Sequence, residues 1–324
     1  MQLLPNRRQI ILAGAMAALA PAVRSATALP TGTDNPIVEL WPNGTPGTDR
    51  VTVQEEVIER LPEGPLRDRF AQHVTRPSMT LFAPRTAFNG ITLLIVPGGG
   101  YVRVVMDKEG FEAAEWFAAC GFAAAVLRYR MPADGWSAGA DAPVHDAMRA
   151  IRMLRDRRGA GAHARSSVGV IGFSAGGHLC ARQITEPGLT YAPHDSADDR
   201  SARPDFAVLM YPVIASTGAH AHAGSAQQLR ASGVREADLA RYSPHLNVNT
   251  LTPPTMLVHA ADDSSVPVEN SLMMYEALRK ANVRSELHVF DRGGHGFGLR
   301  GVAGKNVAAW PTLVQNWALS NAAP

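Results

Sequence analysis

The segment Gly172-Phe173-Ser174-Ala175-Gly176-Gly177 sets one serine among glycines. A serine hydroxyl is a poor nucleophile until a base removes its proton. It must also protrude from the backbone for a bulky carbonyl to reach it. A sharp turn from a strand into a helix achieves this, with glycine at the flanking positions because side chains there would collide. The apolar run Val168-Gly169-Val170-Ile171 leads into the motif and a helical pattern follows it. Ser174 is therefore the candidate nucleophile of an acyl transfer. The bland alternative, a glycine-rich turn with an incidental serine, does not account for both flanks.

Acyl transfer also requires donors for the developing oxyanion, and backbone N–H groups of a glycine-rich loop supply them. Pro97-Gly98-Gly99-Gly100-Tyr101 follows the apolar run 91–96. Its candidate donors are the N–H groups of Gly99 and Gly100, with Ala175 N–H from the residue after the nucleophile. The base should be a histidine whose second nitrogen is held by a carboxylate. There are 11 histidines, so position must choose among them. His295 lies in a glycine-bracketed loop, Gly293-Gly294-His295-Gly296, just past the run 286–290. His259 falls in or at the end of a strand and reads as packed. His178 lies on the helix four residues past Ser174, pointing away from the turn. His220 and His222 form a His-Ala-His pair with no further ligand cluster nearby, so no metal site is assigned. The carboxylate should follow the preceding strand, where Asp262 and Asp263 are both candidates.

The elements that must position these residues alternate in type. Short runs at 91–96, 122–127, 168–171, 206–210, 255–259 and 286–290, most of them apolar, read as strands. Between and after them, 111–119, 147–154, 175–184, 268–281 and 307–319 have helical spacing. Fully apolar strands alternating with helices imply a mostly parallel sheet covered on both faces, a three-layer α/β domain. In such sheets functional groups sit on loops beyond the carboxyl ends of the strands, where every candidate above falls. Residues 29–85 read as a loose Pro/Gly/Thr-rich arm with a helical patch near 53–70 and a first strand at 79–82, ahead of a catalytic domain at 86–324. The polar stretches 186–203 and 216–242 read as loops that rim a site, the second with some helix at 226–239. Tyr101, Trp136 and Tyr211 are candidates to flank a substrate pocket.

The chain has 324 residues, 46% hydrophobic and 19% charged, with a net charge of +2. That composition supports a real core, and the scattered basic residues argue against a nucleic-acid partner. Cys120 and Cys180 are too few for a disulfide framework and read as small hydrophobes, with one bridge open to them. Arg7-Arg8 precedes an apolar run from Ile10 to Ala20, then Pro21 and a small-residue site at Ala26-Thr27-Ala28. A basic start, short apolar core and small-x-small site describe an export signal over residues 1–28. The paired arginines resemble a bacterial twin-arginine signal. The expectation is a periplasmic or secreted protein with no membrane span after signal removal.

At these residues the sequence resembles the α/β-hydrolase esterases, and in particular bacterial acetyl-xylan-esterase-like carbohydrate esterases. The resemblance runs from about Glu39 to Trp317. Its landmarks include Leu40-Trp41-Pro42, Pro97-Gly98-Gly99-Gly100-Tyr101, Glu109-Gly110, Leu127-Arg128-Tyr129-Arg130, Asp146, the Ser174 motif with His178, Tyr211-Pro212, Asp263 to Pro267 and Gly294-His295-Gly296-Phe297. The order Ser174, Asp263, His295 is that of α/β-hydrolases. The resemblance implies Asp263 as the acid, three residues before the Val of a Val-Pro pair, with Asp262 as runner-up. It implies hydrolysis of short acyl esters, acetyl above all, on small molecules or oligosaccharides, without metal or organic cofactor. Pro97 stands where the hormone-sensitive-lipase branch has histidine, which argues against simple transfer from that branch. Arg128 and Arg130 read as structural, and Glu109 as a residue that orients the oxyanion loop. Three alternatives stay open: a general carboxylesterase or lipase, a prolyl-oligopeptidase-like peptidase, and an inactive carbohydrate-binding member of the fold.

Overall fold

The computed structural model describes residues 35–157 and 166–322, so the expected export signal at 1–28 lies outside the described residues. Eight strands form the main sheet: β1 (Ile37–Glu39), β4 (Ser78–Phe82), β5 (Ile91–Val96), β7 (Ala123–Arg128), β8 (Ser167–Phe173), β9 (Phe206–Met210), β10 (Thr255–Ala260) and β11 (Ser285–Phe290). Their spatial order is β1-β4-β7-β5-β8-β9-β10-β11. β1 and β4 run antiparallel to their neighbours, and the other pairs are parallel.

The helices are α1 (Glu112–Ala119), α2 (Ala142–Asp156), α3 (Ala175–Thr185), α4 (Ala223–Ala231), α5 (Glu269–Lys280) and α6 (Trp310–Asn321). β5 shows how they cover the sheet. Leu94 and Val96 pack with residues of α2, α3 and α5, whereas Ile91, Leu93 and Ile95 pack with α1 and α6. Alternate side chains of a strand point to opposite faces, so a run apolar at nearly every position needs a helical layer on each side. β8 is buried along its whole length for the same reason. The three-layer α/β reading therefore holds.

The arm differs from its expectation. The patch at 53–70 is no helix: β2 (Glu56–Glu59) and β3 (Arg69–Gln72) pair antiparallel there. Leu61-Pro62-Glu63-Gly64-Pro65 between them cannot continue a helix, because proline removes a backbone donor and clashes with the preceding turn. β3 also pairs with β6 (Val104–Val105), which emerges from the glycine loop after β5. Nor is 79–82 the first strand of the chain, since β1 joins β4 in the main sheet. The arm is thus woven into both sheets.

Arg130 and Asp146 form a fully buried pair at 2.8 Å. Asp146 also accepts from Trp41 Nε1 at 2.8 Å, which ties the arm to α2. Arg128 meets Glu55 of the arm at 2.9 Å. Both arginines are structural, as expected. Cys120 and Cys180 are not bonded to each other; Cys180 is buried and Cys120 half-buried.

Candidate active site

Ser174 sits at the junction of β8 and α3 with φ +53° and ψ −117°. That is a strained conformation for a residue with a side chain, and such strain persists only where the surroundings enforce it. Ser174 N–H donates to Met210 O at 3.0 Å, and Ser174 O accepts from His178 N–H and Val213 N–H, both at 3.1 Å. The flanking glycines are required by crowding. A Cβ on Gly172 would stand 2.5 Å from Gly176 O and 2.7 Å from Cys180 Sγ, and one on Gly176 would stand 2.2 Å from Val96 O.

The loops after β10 and β11, at the same carboxyl end of the sheet, meet this serine. His295 Nε2 lies 2.9 Å from Ser174 Oγ, and His295 Nδ1 lies 2.7 Å from Asp263 Oδ2. The other oxygen of Asp263 accepts the N–H groups of Ser265 and Val266, each at 2.9 Å. Burial alone would raise the Asp263 pKa. Hydrogen bonds from His259 and His295, and the Val266 N–H, outweigh burial and hold it well below the usual carboxylate range. A carboxylate held ionised fixes the imidazole tautomer with Nδ1–H towards it, which leaves Nε2 as the acceptor for the serine proton.

Asp262, the other candidate acid, does something else. It is exposed and accepts Gly293 N–H at 2.8 Å and Gly294 N–H at 2.7 Å. It anchors the backbone of the histidine loop and makes no bond to the imidazole. His259 is packed, as expected: its Nδ1 lies 2.7 Å from Ser271 Oγ and its Nε2 3.0 Å from Val266 O. Its Nε2 is also 3.4 Å from Asp263 Oδ2, a support that sequence reasoning missed. The spacing of four residues from Asp263 was its only signal.

The glycine loop after β5 lies against the serine, since a Cβ on Gly98 would stand 2.8 Å from Ser174 Cβ. Gly98 N–H is spent on Glu109 Oε2 at 2.8 Å. Among the described residues, Gly99 and Gly100 N–H donate to no protein acceptor. Ala175 opens α3, so its N–H has no intrahelical acceptor either. Among the described residues these three N–H groups are thus unengaged by protein acceptors.

Glu109 is buried and connects three loops. Besides Gly98, it accepts Tyr211 Oη–H at 3.0 Å, and a Cβ on Gly296 would stand 3.5 Å from its Oε1. Tyr211 packs edge-on against His295, with ring centroids 5.2 Å apart. Tyr211, Tyr101 and Trp136 are each almost wholly buried. The hydroxyls of both tyrosines face protein partners. Tyr101 Oη donates to His178 Nδ1 at 2.8 Å, and His178 Nε2–H donates to Tyr242 O at 2.7 Å. These residues brace the site from beneath. His220 and His222 take separate partners, Glu269 at 4.0 Å and Ser225 at 2.9 Å.

Comparison with known proteins agrees with this architecture. The BD-FAE family model matches residues 79–278. The acetylxylan esterase of Xylanibacter ruminicola is 33% identical over 227 residues, covering 69% of this chain and 44% of that protein. Endo-1,4-beta-xylanase B of Butyrivibrio fibrisolvens is 33% identical over 204 residues, covering 63% of this chain and 32% of that protein. The chain thus spans less than half the length of either curated relative. Among solved structures, the acetyl ester-xyloside bifunctional hydrolase of Caldicellulosiruptor lactoaceticus is similar, with a TM-score of 0.67 and 32% identity. That match covers 88% of this chain and 96% of that one.

Proposed function

The chain belongs to the BD-FAE family and is an α/β-hydrolase of the esterase type; from that premise we propose that it removes acetyl groups from plant-type carbohydrate through Ser174, His295 and Asp263. One observation carries the mechanism: the continuous hydrogen-bonded line from Ser174 Oγ through the His295 ring to Asp263, beside three unengaged N–H groups. Ser174 Oγ attacks the ester carbonyl carbon while His295 Nε2 takes the hydroxyl proton. The carbonyl oxygen becomes an oxyanion and is held by Gly99, Gly100 and Ala175 N–H. His295 then protonates the departing sugar oxygen, leaving acetyl on Ser174. Water gives a proton to His295 and attacks the acyl-enzyme, and acetate leaves as the serine regains its proton. Asp263 stabilises the imidazolium at each stage without taking the proton.

The acetyl and sugar specificity rests on the likeness to the acetylxylan esterase and the acetyl ester-xyloside hydrolase. A periplasmic or secreted location, with residues 1–28 removed, is part of the same proposal. Among the described residues no helix is long and apolar enough to cross a membrane.

The test is acetate release from acetylated xylan and acetylated xylooligosaccharides, beside 4-nitrophenyl esters of rising chain length. The expected result is turnover of the acetylated sugars and of the shortest 4-nitrophenyl esters. Ser174→Ala should lose on the order of 10⁴-fold or more in kcat. Activity confined to long acyl chains would overturn the carbohydrate reading, and wild-type turnover by Ser174→Ala would overturn the mechanism.

A further inference from the structure

The segment between β9 and α4 carries an imidazole that the mechanism above does not use. His222 is the N-cap of α4: its Nδ1 accepts Ser225 N–H at 3.1 Å and lies 2.9 Å from Ser225 Oγ. An Nδ1 that accepts a backbone N–H carries no proton, so the single ring proton of the neutral side chain is on Nε2. Burial first, and then the charge of His295, lower the pKa of His222 from its ordinary value, which favours that neutral form. Among the described residues Nε2 has no hydrogen-bond partner.

The ring lies beside the glycine loop. A Cβ on Gly100 would stand 3.9 Å from His222 Cε1, the ring atom beside Nε2. His222 also lies close enough to His295 and Asp263 for both charges to bear on its titration. The segment is held firmly at its base. Asn270 is fully buried; its Oδ1 accepts Ile214 N–H and Ala215 N–H at 2.8 and 2.9 Å, and its Nδ2 donates to His220 O at 2.9 Å. Gly100 marks where the ester oxygen sits and His295 marks where the alcohol departs. A donor beside Gly100 and within electrostatic reach of His295 is therefore placed near a bound ester.

We propose that His222 is a specificity-determining residue whose Nε2–H hydrogen-bonds a sugar oxygen next to the acetylated position. The inference rests on the carbohydrate esterase reading and deepens it. An alcohol with a neighbouring oxygen gains this bond, and a nitrophenol, with none at that distance from the ester, does not.

The test is His222→Asn. Asparagine is a strong N-cap residue, so α4 keeps its first turn while the imidazole and its Nε2–H are removed. The quantity to read is the ratio of kcat/KM for an acetylated xylooligosaccharide to that for 4-nitrophenyl acetate. The ratio should fall on the order of tenfold, the worth of one hydrogen bond to substrate. An unchanged ratio overturns the proposal, whether both activities persist or both decline together, because a purely structural role moves both substrates alike. Failure of the underlying reading is distinct: the wild-type protein would then release no acetate from the sugar at all.

Discussion

Asp262 and Asp263 are neighbours in the loop after β10, one exposed and hydrogen-bonded to two backbone amides, the other buried and bonded to His295. Their substitution by asparagine should therefore have unequal effects. Asp263→Asn replaces the carboxylate that fixes the tautomer of His295, and kcat on 4-nitrophenyl acetate should fall by about 10⁴-fold. Asp262→Asn keeps a side-chain oxygen that can accept Gly293 and Gly294 N–H, so its loss should stay within about tenfold. Equal losses in the two variants would mean that the acid has been misassigned. At this scale the sequence left both aspartates open on their spacing alone. The choice needed the direction in which each carboxylate points.

Helix α3 joins the site to its surroundings through His178, which is buried between Tyr101 Oη and Tyr242 O. Burial, then the charge of Arg182, push its pKa down to about 3, against the opposing hydrogen bond to Tyr242. In the unfolded chain the same imidazole titrates near 6.5. Between these values the unfolded state binds a proton that the folded state does not, so stability falls as pH falls through that window. The slope from this one group is up to about 1.4 kcal/mol per pH unit. Urea unfolding from pH 7 down to pH 4.5 should show that decline. His178→Gln should make it shallower but not abolish it, since His145 and His245 are also shifted downward by burial. A variant whose decline matches the wild type would contradict a neutral buried His178. The sequence placed His178 on this helix and turned away from Ser174. It offered no sign of the two partners, which come from segments 77 and 64 residues distant.

The molecule as a whole is held by contacts that bind the arm to the catalytic layers. β1 lengthens the main sheet, β3 pairs with β6 beyond the glycine loop, and Trp41 donates to the buried Asp146 that pairs with Arg130. We propose on these grounds that the arm and the catalytic domain unfold as one unit. Urea transitions followed by tryptophan fluorescence and by far-UV circular dichroism should coincide; an early, separate fluorescence transition would show the arm to be an independent layer. By itself the sequence determined the alternation of strands and helices, because a fully apolar strand has only one stable environment, between two helical layers. It also determined the glycines around Ser174, since close backbone approach excludes any side chain there. The tertiary structure decided the rest. It turned the patch at 53–70 into a hairpin because a partner strand, β6, was waiting 32 residues further on. It drew Tyr101 and Tyr211 into the core, where their hydroxyls had buried partners in His178 and Glu109. It also brought His222 to the edge of the glycine loop. Pairings between residues far apart in the chain depend on where the sheet and its loops put them, and short-range periodicity holds no record of that.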